Sequence, residues 1–244
     1  MIKQSRSLGL LFAIGLATIS LGAVNASDTI ASVDESNINS SYLVADGHQG
    51  KLTPGEQANA DFKDRMSGKL LLDSLRRGGY VIYIRHASTE KDYADQVTAV
   101  MGNCSTQRTL SESGWKDAKA IGEGFRIYDI PVAQVISSQF CRAWQTADLA
   151  FGRYVKNGDL NFPKAEDYTD AQVADMKARL NPMLTAVPPT GQNTVIVGHD
   201  DLFEAATGIY PDPQGIAYIV KPDGKGGFEL VANMLPNEWV KLGF

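Results

Sequence analysis

The chain has 244 residues, of which 43% are hydrophobic and 21% are charged. This length suits one α/β domain with a sizeable core and excludes two ordinary domains plus an export signal. With 23 Lys and Arg against 28 Asp and Glu, the net charge is −5. A broad nucleic-acid-binding surface is therefore not expected, and any affinity for phosphate must come from a local arginine cluster.

The first 26 residues have the pattern of a secretory signal peptide. Lys3 and Arg6 form a basic start, residues 8–21 an apolar run, and Ala26 ends a set of small residues suited to cleavage. The alternative is an uncleaved anchor, but the apolar run is short of the roughly 20 residues that cross a bilayer. We expect cleavage, no stable membrane anchor, and a periplasmic or secreted protein.

The next stretch, residues 27–60, is rich in Ser, Asn, Asp and Gly and has no sustained hydrophobic period. Such composition predicts a flexible linker. We therefore expect one folded domain over residues 61–244.

The folded domain should begin with a helix, because Met66, Leu70, Leu71 and Leu75 recur at helical spacing before Gly78.

Residues 80–85 are then predicted to form a buried strand, which a long polar loop follows. Ser111 is a suitable cap for a second helix, whose apolar face would include Trp115, Ala118, Ile121 and Phe125.

Strand and helix patterns continue to alternate toward the C-terminus. Strands are predicted at 134–137 and 194–197, helices at 142–150 and 170–184, and a hairpin from 216–220 and 228–234. Alternation of this kind is typical of a mainly parallel sheet. We predict a three-layer α/β/α sandwich with helices on both faces and a C-terminal hairpin at the sheet edge.

Polar side chains follow three of the predicted strands. His86, Ser138 and His199 each follow the end of a predicted strand, and His86 and His199 are the only histidines of the predicted domain. Ligands of open α/β sheets bind beyond the carboxyl ends of the strands. Either histidine alone would more often be structural, but the pair predicts a shared site.

Four segments between Tyr80 and Asp201 resemble one family, the histidine phosphatase (phosphoglycerate mutase-like) superfamily. Residues 85–89, Arg-His-Ala-Ser-Thr, resemble its R-H-G-x-T motif, with Ala87 in place of the usual glycine. The other matching positions are Leu110, Ser111, Gly114 and Ala118, then Ser138, Arg142, Thr146 and Ala147, then Gly198 and His199.

The resemblance implies roles for several side chains. It makes His86 the nucleophile, transiently phosphorylated, and Arg85, Arg142 and His199 the groups that bind the phosphoryl oxygens. Forked guanidinium donors suit such oxygens. Arg108, in the loop before Ser111, is either a further phosphate-binding cation or a solvated surface residue. This chemistry needs neither metal nor cofactor, and we expect none.

The proton donor for the leaving group is less clearly marked. Asp200 follows His199 as in the acid phosphatase branch, where the resemblance makes it the general acid, but it could instead cap the following helix. The mutase branch uses a Glu, for which Glu166 and Asp167 are weak candidates.

Cys104 and Cys141 are the two cysteines of the chain. In an exported protein a disulfide between them is favoured over two free thiols. Such a bond would hold the loop before Ser111 next to Arg142.

The sequence therefore predicts a phosphoric monoester hydrolase that acts through a phosphohistidine on a small phosphorylated substrate. Two alternatives stay open: a phosphoglycerate mutase-like phosphotransferase, and a non-catalytic phosphate-binding protein of the envelope. The identity of the substrate and the oligomeric state are not encoded in any motif we can interpret.

Overall fold

A six-stranded sheet forms the centre of the computed structural model, which describes residues 51–90, 95, 97–165 and 167–243. The strand order is β3-β2-β4-β1-β5-β6. The four strands from β3 to β1 are parallel, whereas β5 and β6 form an antiparallel hairpin at one edge. The strands are β1 (Val81–Arg85), β2 (Val132–Ser137), β3 (Val155–Lys156), β4 (Asn193–Gly198), β5 (Ala217–Pro222) and β6 (Phe228–Met234).

Six α-helices accompany this sheet in the described residues. They are α1 (Pro54–Ala60), α2 (Gly68–Arg77), α3 (Glu112–Ile127), α4 (Cys141–Phe151), α5 (Asp170–Thr185) and α6 (Asp200–Thr207). Apolar residues of α2, α3 and α4 belong to one buried cluster, and those of α5 and α6 belong to another. Helices therefore cover both faces of the sheet.

The central strand β1 shows why the sheet is covered on both sides. All five of its residues are buried. Ile82 and Ile84 pack into the cluster of α2, α3 and α4, while Val81 and Tyr83 pack into the cluster of α5 and α6. Successive strand side chains point to opposite faces, so burial on both faces accounts for the apolar run from Val81 to Ile84 that precedes Arg85.

The predicted fold class is confirmed, with the hairpin at the sheet edge, and the predicted strands and helices differ from the observed ones by a few residues at their ends. Two predicted core positions were wrong. Leu70 is 57% exposed and Trp115 is 47% exposed. In α2 the buried stripe contains Leu71, Leu72 and Leu75, so the buried face is centred one residue later than the spacing suggested.

The end of the predicted linker also needs correction. Residues 54–60 form α1, which begins with a capping box in which the side chains of Thr53 and Glu56 each bind the other residue's backbone. Asn59 attaches α1 to the domain by donating to Asp212 O at 2.8 Å. The predicted signal peptide, residues 1–26, and the linker before residue 51 lie outside the described residues. Within the described ranges, no helix is long and apolar enough to cross a membrane.

Candidate active site

The two histidines of the described residues lie side by side. His86 follows β1 and His199 follows β4, and these neighbouring parallel strands pair Arg85 with Gly198. The ring centroids of His86 and His199 are 5.4 Å apart. The carboxyl ends of two central strands therefore bring both histidines to one edge of the sheet, the position where α/β folds bind ligands.

Gly198 allows the two strand ends to approach. A Cβ atom at this position would lie 2.3 Å from the hydroxyl of Tyr83. That hydroxyl donates to the carbonyl of His199 at 2.6 Å and accepts from the amide of His199 at 3.0 Å. Tyr83 thus fixes the backbone of His199, and only glycine leaves room for it.

His86 has a defined tautomer. Its Nδ1 lies 2.9 Å from the carbonyl oxygen of Ala87, which can only accept, so Nδ1 carries the proton. Its Nε2 accepts from Arg142 Nε at 3.1 Å. Burial, then Arg142 and Arg85, lower the pKa of His86 well below the ordinary value of 6.5. The imidazole is therefore neutral, with its lone pair at Nε2.

The turn after His86 is held by α3 and α4. The amide of Ala87 donates to Thr146 Oγ1 at 3.0 Å, and Ser111 donates through its amide to Ser88 O at 3.0 Å. A Cβ atom on Gly114 would lie 2.0 Å from that same Ser88 oxygen. The helix start predicted around Ser111 and Gly114 thus packs directly on the backbone that follows His86.

Arg142 is held on both sides. Its Nε donates to His86, and its Nη1 donates to Asp95 Oδ2 at 2.8 Å. The guanidinium carbon also lies 5.0 Å from the ring centroid of Phe140 and 5.3 Å from that of Phe162. These contacts allow the guanidinium to stay charged although Arg142 is only 4% exposed.

His199 has the opposite arrangement of protons. Its Nε2 lies 2.8 Å from Ser138 Oγ, and that hydroxyl donates to Asn161 Oδ1 at 2.8 Å. The serine oxygen therefore accepts from His199 Nε2–H, which leaves Nδ1 unprotonated in the neutral ring. Burial, then Arg142 and His86, lower the pKa of His199 well below 6.5.

Arg85 is strongly engaged by acidic partners. Its Nη2 donates to Asp200 Oδ2 at 3.1 Å and to Tyr210 Oη at 3.2 Å. Its Nη1 donates to Pro211 O at 2.9 Å and to Asp212 Oδ1 at 3.0 Å. These four bonds use the terminal N–H groups, so the group left for a phosphoryl oxygen is Nε–H.

Asp200 and Asp201 have opposite protonation preferences. Burial alone would raise the pKa of Asp200, but Arg85 and a hydrogen bond to Tyr210 bring it below the ordinary 3.8. Burial and the charge of Asp200 raise the pKa of Asp201 to about 7. Near neutral pH the pair carries at most one proton, and at rest that proton is on Asp201. The helix cap is His199, so Asp200 is not the N-cap.

Arg108 lies at the site rather than on an isolated surface. Its Nη2 contacts Thr89 Oγ1, and its amide donates to Asp95 Oδ2 at 2.8 Å. The disulfide between Cys104 and Cys141 joins this segment to the first residue of α4, with a Cα separation of 5.7 Å. The segment that carries Arg108 is thus tied beside Arg142.

Several buried polar atoms of these residues have no hydrogen-bond partner. They are Arg85 Nε, Arg108 Nε, His199 Nδ1 and Asp95 Oδ1. A buried polar group without a partner is costly, so a cluster of them at one place is typical of a ligand site. Two of the four are guanidinium nitrogens and a third can be protonated, which suits an anion.

Sequence reasoning missed three side chains that complete the surroundings: Asp95, Tyr210 and Asp212. Asp95 is fully buried, yet it comes from a polar loop with no motif. Tyr210 and Asp212 lie in a proline-rich turn after α6, and no residue pattern marks them as partners of Arg85. Of the weaker acid candidates, Asp167 is exposed and Glu166 lies outside the described residues.

The two depressed histidine pKa values make stability depend on pH. Both rings are neutral when folded and titrate near pH 6.5 when unfolded, so unfolding takes up protons in acid and stability falls as pH falls below about 6.5. Each histidine contributes a slope of about 1.4 kcal/mol per pH unit. Asp201 offsets the contribution of one histidine. Its pKa is raised to about 7, so in mild acid the folded state binds a proton on Asp201 that the unfolded state does not.

We expect His199→Gln to remove one of the two histidine contributions. The slope of unfolding free energy against pH should change by about 1.4 kcal/mol per pH unit between roughly pH 5 and 6. Urea unfolding of both proteins at several pH values measures this. Parallel curves would show that the folded state protonates His199 as readily as the unfolded state.

No group of three or more His, Cys, Asp and Glu side chains in the described part of the chain is arranged to hold a metal ion. The available donors are arginines and imidazoles that face carboxylates, serine and each other. The chemistry of this set is recognition of an anion, with one imidazole lone pair able to act as a nucleophile.

Solved structures similar to this chain include several phosphatases. The protein histidine phosphatase SixA complexed with tungstate is 16% identical, with 64% of this chain and 97% of that chain covered and a TM-score of 0.48. The α-ribazole phosphatase from Shigella flexneri is 17% identical, covering 66% and 96% with a TM-score of 0.47. A mycobacterial glucosyl-3-phosphoglycerate phosphatase is 16% identical, covering 63% and 97% with a TM-score of 0.46.

No curated protein sequence matches this chain. The family model of the histidine phosphatase superfamily (branch 1) matches residues 81–155, which include β1, His86, the start of α3, and Arg142. The matched segment is 75 of the 244 residues of the chain. Outside the matched segment, the sheet places His199 next to His86, so the chain is similar to the histidine phosphatase superfamily in the segment that carries β1, His86 and Arg142.

Proposed function

We propose that the protein hydrolyses phosphomonoesters without a metal ion and that His86 carries the phosphoryl group between two steps. The match of residues 81–155 to the histidine phosphatase superfamily supports phosphatase activity. The observation that carries the finer proposal is the tautomer of His86, whose Nδ1–H is bound to Ala87 O. That bond leaves Nε2 as a neutral nucleophile with guanidinium groups around it.

In the first step, Nε2 of His86 attacks phosphorus while the bond from phosphorus to the ester oxygen breaks. The leaving oxygen takes up a proton from an acid, and the phosphoryl group stays on His86. In the second step, a water molecule attacks phosphorus and loses a proton to the same base. The P–N bond breaks, inorganic phosphate leaves, and His86 returns to its neutral state.

Positive charge for the transferred group comes from the protein. Arg85 Nε and Arg108 Nε are buried without partners and can donate to phosphoryl oxygens, and His199 Nδ1 is likewise buried without a partner. Arg142 Nε now donates to the lone pair of His86, so an arriving phosphoryl oxygen must take over that N–H. His199 needs a proton to donate through Nδ1, and a nearby dianion favours that proton.

The proton for the leaving oxygen is assigned to the Asp200–Asp201 pair. The prediction of Asp200 as general acid stays a proposal, and Arg85 holds this carboxylate as an anion in the resting state. Asp201, with a pKa of about 7, stores the proton of the pair. Two interacting carboxyl groups titrate as a pair. Either Asp200 or Asp201 can therefore donate the proton to the leaving oxygen.

We also propose that this reaction takes place in the periplasm or outside the cell, on a small phosphorylated substrate. The signal-like residues 1–26 support export. The Cys104–Cys141 disulfide supports it further, because such bonds persist in oxidising compartments.

The test is hydrolysis of p-nitrophenyl phosphate by the full-length chain, across pH and with excess EDTA. We expect turnover that EDTA leaves unchanged and that inorganic phosphate inhibits competitively. Loss of turnover on chelation would contradict the metal-independent route. Phosphate binding without turnover, on this probe and on a panel of phosphomonoesters, would favour the non-catalytic phosphate-binding alternative.

A further inference from the structure

A buried carboxylate, Asp95, lies in the site and has no part in the reaction described above. Its side chain is completely inaccessible to solvent. Its Oδ2 accepts from Arg142 Nη1 at 2.8 Å and from the backbone amide of Arg108 at 2.8 Å. A buried charge is retained at a cost unless it is paired, and the partner here is the arginine that contacts His86.

The two bonds to Arg142 define the position of its guanidinium plane. Asp95 binds one corner through Nη1, and His86 Nε2 binds another corner through Nε at 3.1 Å. A planar group held at two separate nitrogen atoms cannot turn about its own axis. Without the Asp95 bond, the rings of Phe140 and Phe162 constrain only the tilt of the guanidinium, not its rotation in the plane.

We propose that Asp95 is a positioning residue for phosphoryl transfer, which it serves by fixing the Arg142 guanidinium against Nε2 of His86. The inference rests on the proposed function, because the rate that it controls is the transfer to His86. Arg142 is the group that must pass from His86 to a phosphoryl oxygen, so a misplacement of about 1 Å is expected to slow transfer strongly.

A purely structural role for Asp95 makes a different prediction. In that case the carboxylate would only hold its own segment in place through the amide of Arg108. Gln107 offers a matched comparison, because it is equally buried and ties the same segment to α4. Its Oε1 accepts from the amide of Cys141 at 2.8 Å, and its Nε2 donates to Val100 O at 2.9 Å.

The experiment compares Asp95→Ala, Asp95→Asn and Gln107→Ala in the full-length chain, with p-nitrophenyl phosphate as the probe. We expect Asp95→Ala to lower kcat about 100-fold, while the inhibition constant of inorganic phosphate changes less than about threefold. Asp95→Asn keeps an acceptor for Arg142, so its kcat should be about tenfold higher than that of Asp95→Ala. Gln107→Ala should lower the Tm at least as much and keep kcat within about threefold.

A crystal structure of Asp95→Ala separates this inference from the proposed function. We expect Arg142 Nε to leave His86 Nε2, from which it is 3.1 Å away in the parent. Displacement of Arg142 in a protein whose parent shows no turnover would overturn the proposed function alone. Unchanged kcat in Asp95→Ala, an equal loss in Gln107→Ala, or an unmoved Arg142 would overturn the role of Asp95.

Discussion

His86→Ala is expected to abolish the phosphoenzyme and to lower kcat at least about a thousandfold. The imidazole of His86 presents its Nε2 lone pair to the Nε–H of Arg142. No other described side chain at this place has the same arrangement. The measurement is the amount of labelled phosphate retained on the protein after a rapid alkaline quench, which preserves phosphohistidine.

His199→Ala is the matched control, because His199 is also buried and lies beside His86. Removing a donor to the transferred group should cost about 100-fold in kcat but leave a measurable phosphoenzyme. If His86→Ala still became labelled, or if His199→Ala alone lost the label, the nucleophile would have to be reassigned to His199. Thermal unfolding of both variants checks that each one folds.

Arg142→Lys is expected to lower kcat about 100- to 1,000-fold although it keeps the positive charge. The guanidinium reaches His86 through Nε and Asp95 through Nη1 at the same time. A lysine ammonium is a single point of charge and cannot make both contacts in that geometry. Most of the loss should appear in kcat, since the charge that attracts an anion is retained.

The control for this substitution is Arg126→Lys. Arg126 lies in the last turn of α3, where its Nη1 donates to Ala150 O at 3.3 Å, away from the histidines. We expect its kcat to stay within about twofold of the parent value. If the kcat of Arg142→Lys equalled that of the parent, a positive charge alone would be sufficient at this position. That result would contradict the need for two simultaneous guanidinium contacts.

The fold was predictable because its strongest signals are local and consistent. The four residues of β1 before Arg85 are hydrophobic, and Ser111 caps α3 as predicted. The errors came where packing, rather than periodicity, decides burial. Trp115 has an apolar side chain at helical spacing, yet it is 47% exposed. The capping box of Thr53 and Glu56 lies inside a polar stretch that was predicted to be a linker.

The site was predictable in part for the same reason. His86, Arg142 and His199 are next to strand ends or helix starts, and the first two lie in the segment that the family model matches. Asp95 could not be found in this way, because it contacts Arg142 across 47 positions of sequence and belongs to no helix or strand. The carboxylates that bind Arg85 are likewise brought in by a turn whose path the sequence does not specify.

The position of the histidines in the sheet has a consequence for how the protein loses activity on heating. Both histidines follow central strands, β1 and β4, which have neighbours on each side. Their amides should exchange with solvent only through global unfolding, the slowest opening in a domain. Asp95 and Arg108 belong to no helix or strand, and Cys104 and Gln107 near Arg108 bind α4 through the disulfide and a side-chain hydrogen bond. Local separation of Asp95 and Arg108 from α4 would release Arg142 first, so catalysis should be lost while the sheet is still intact.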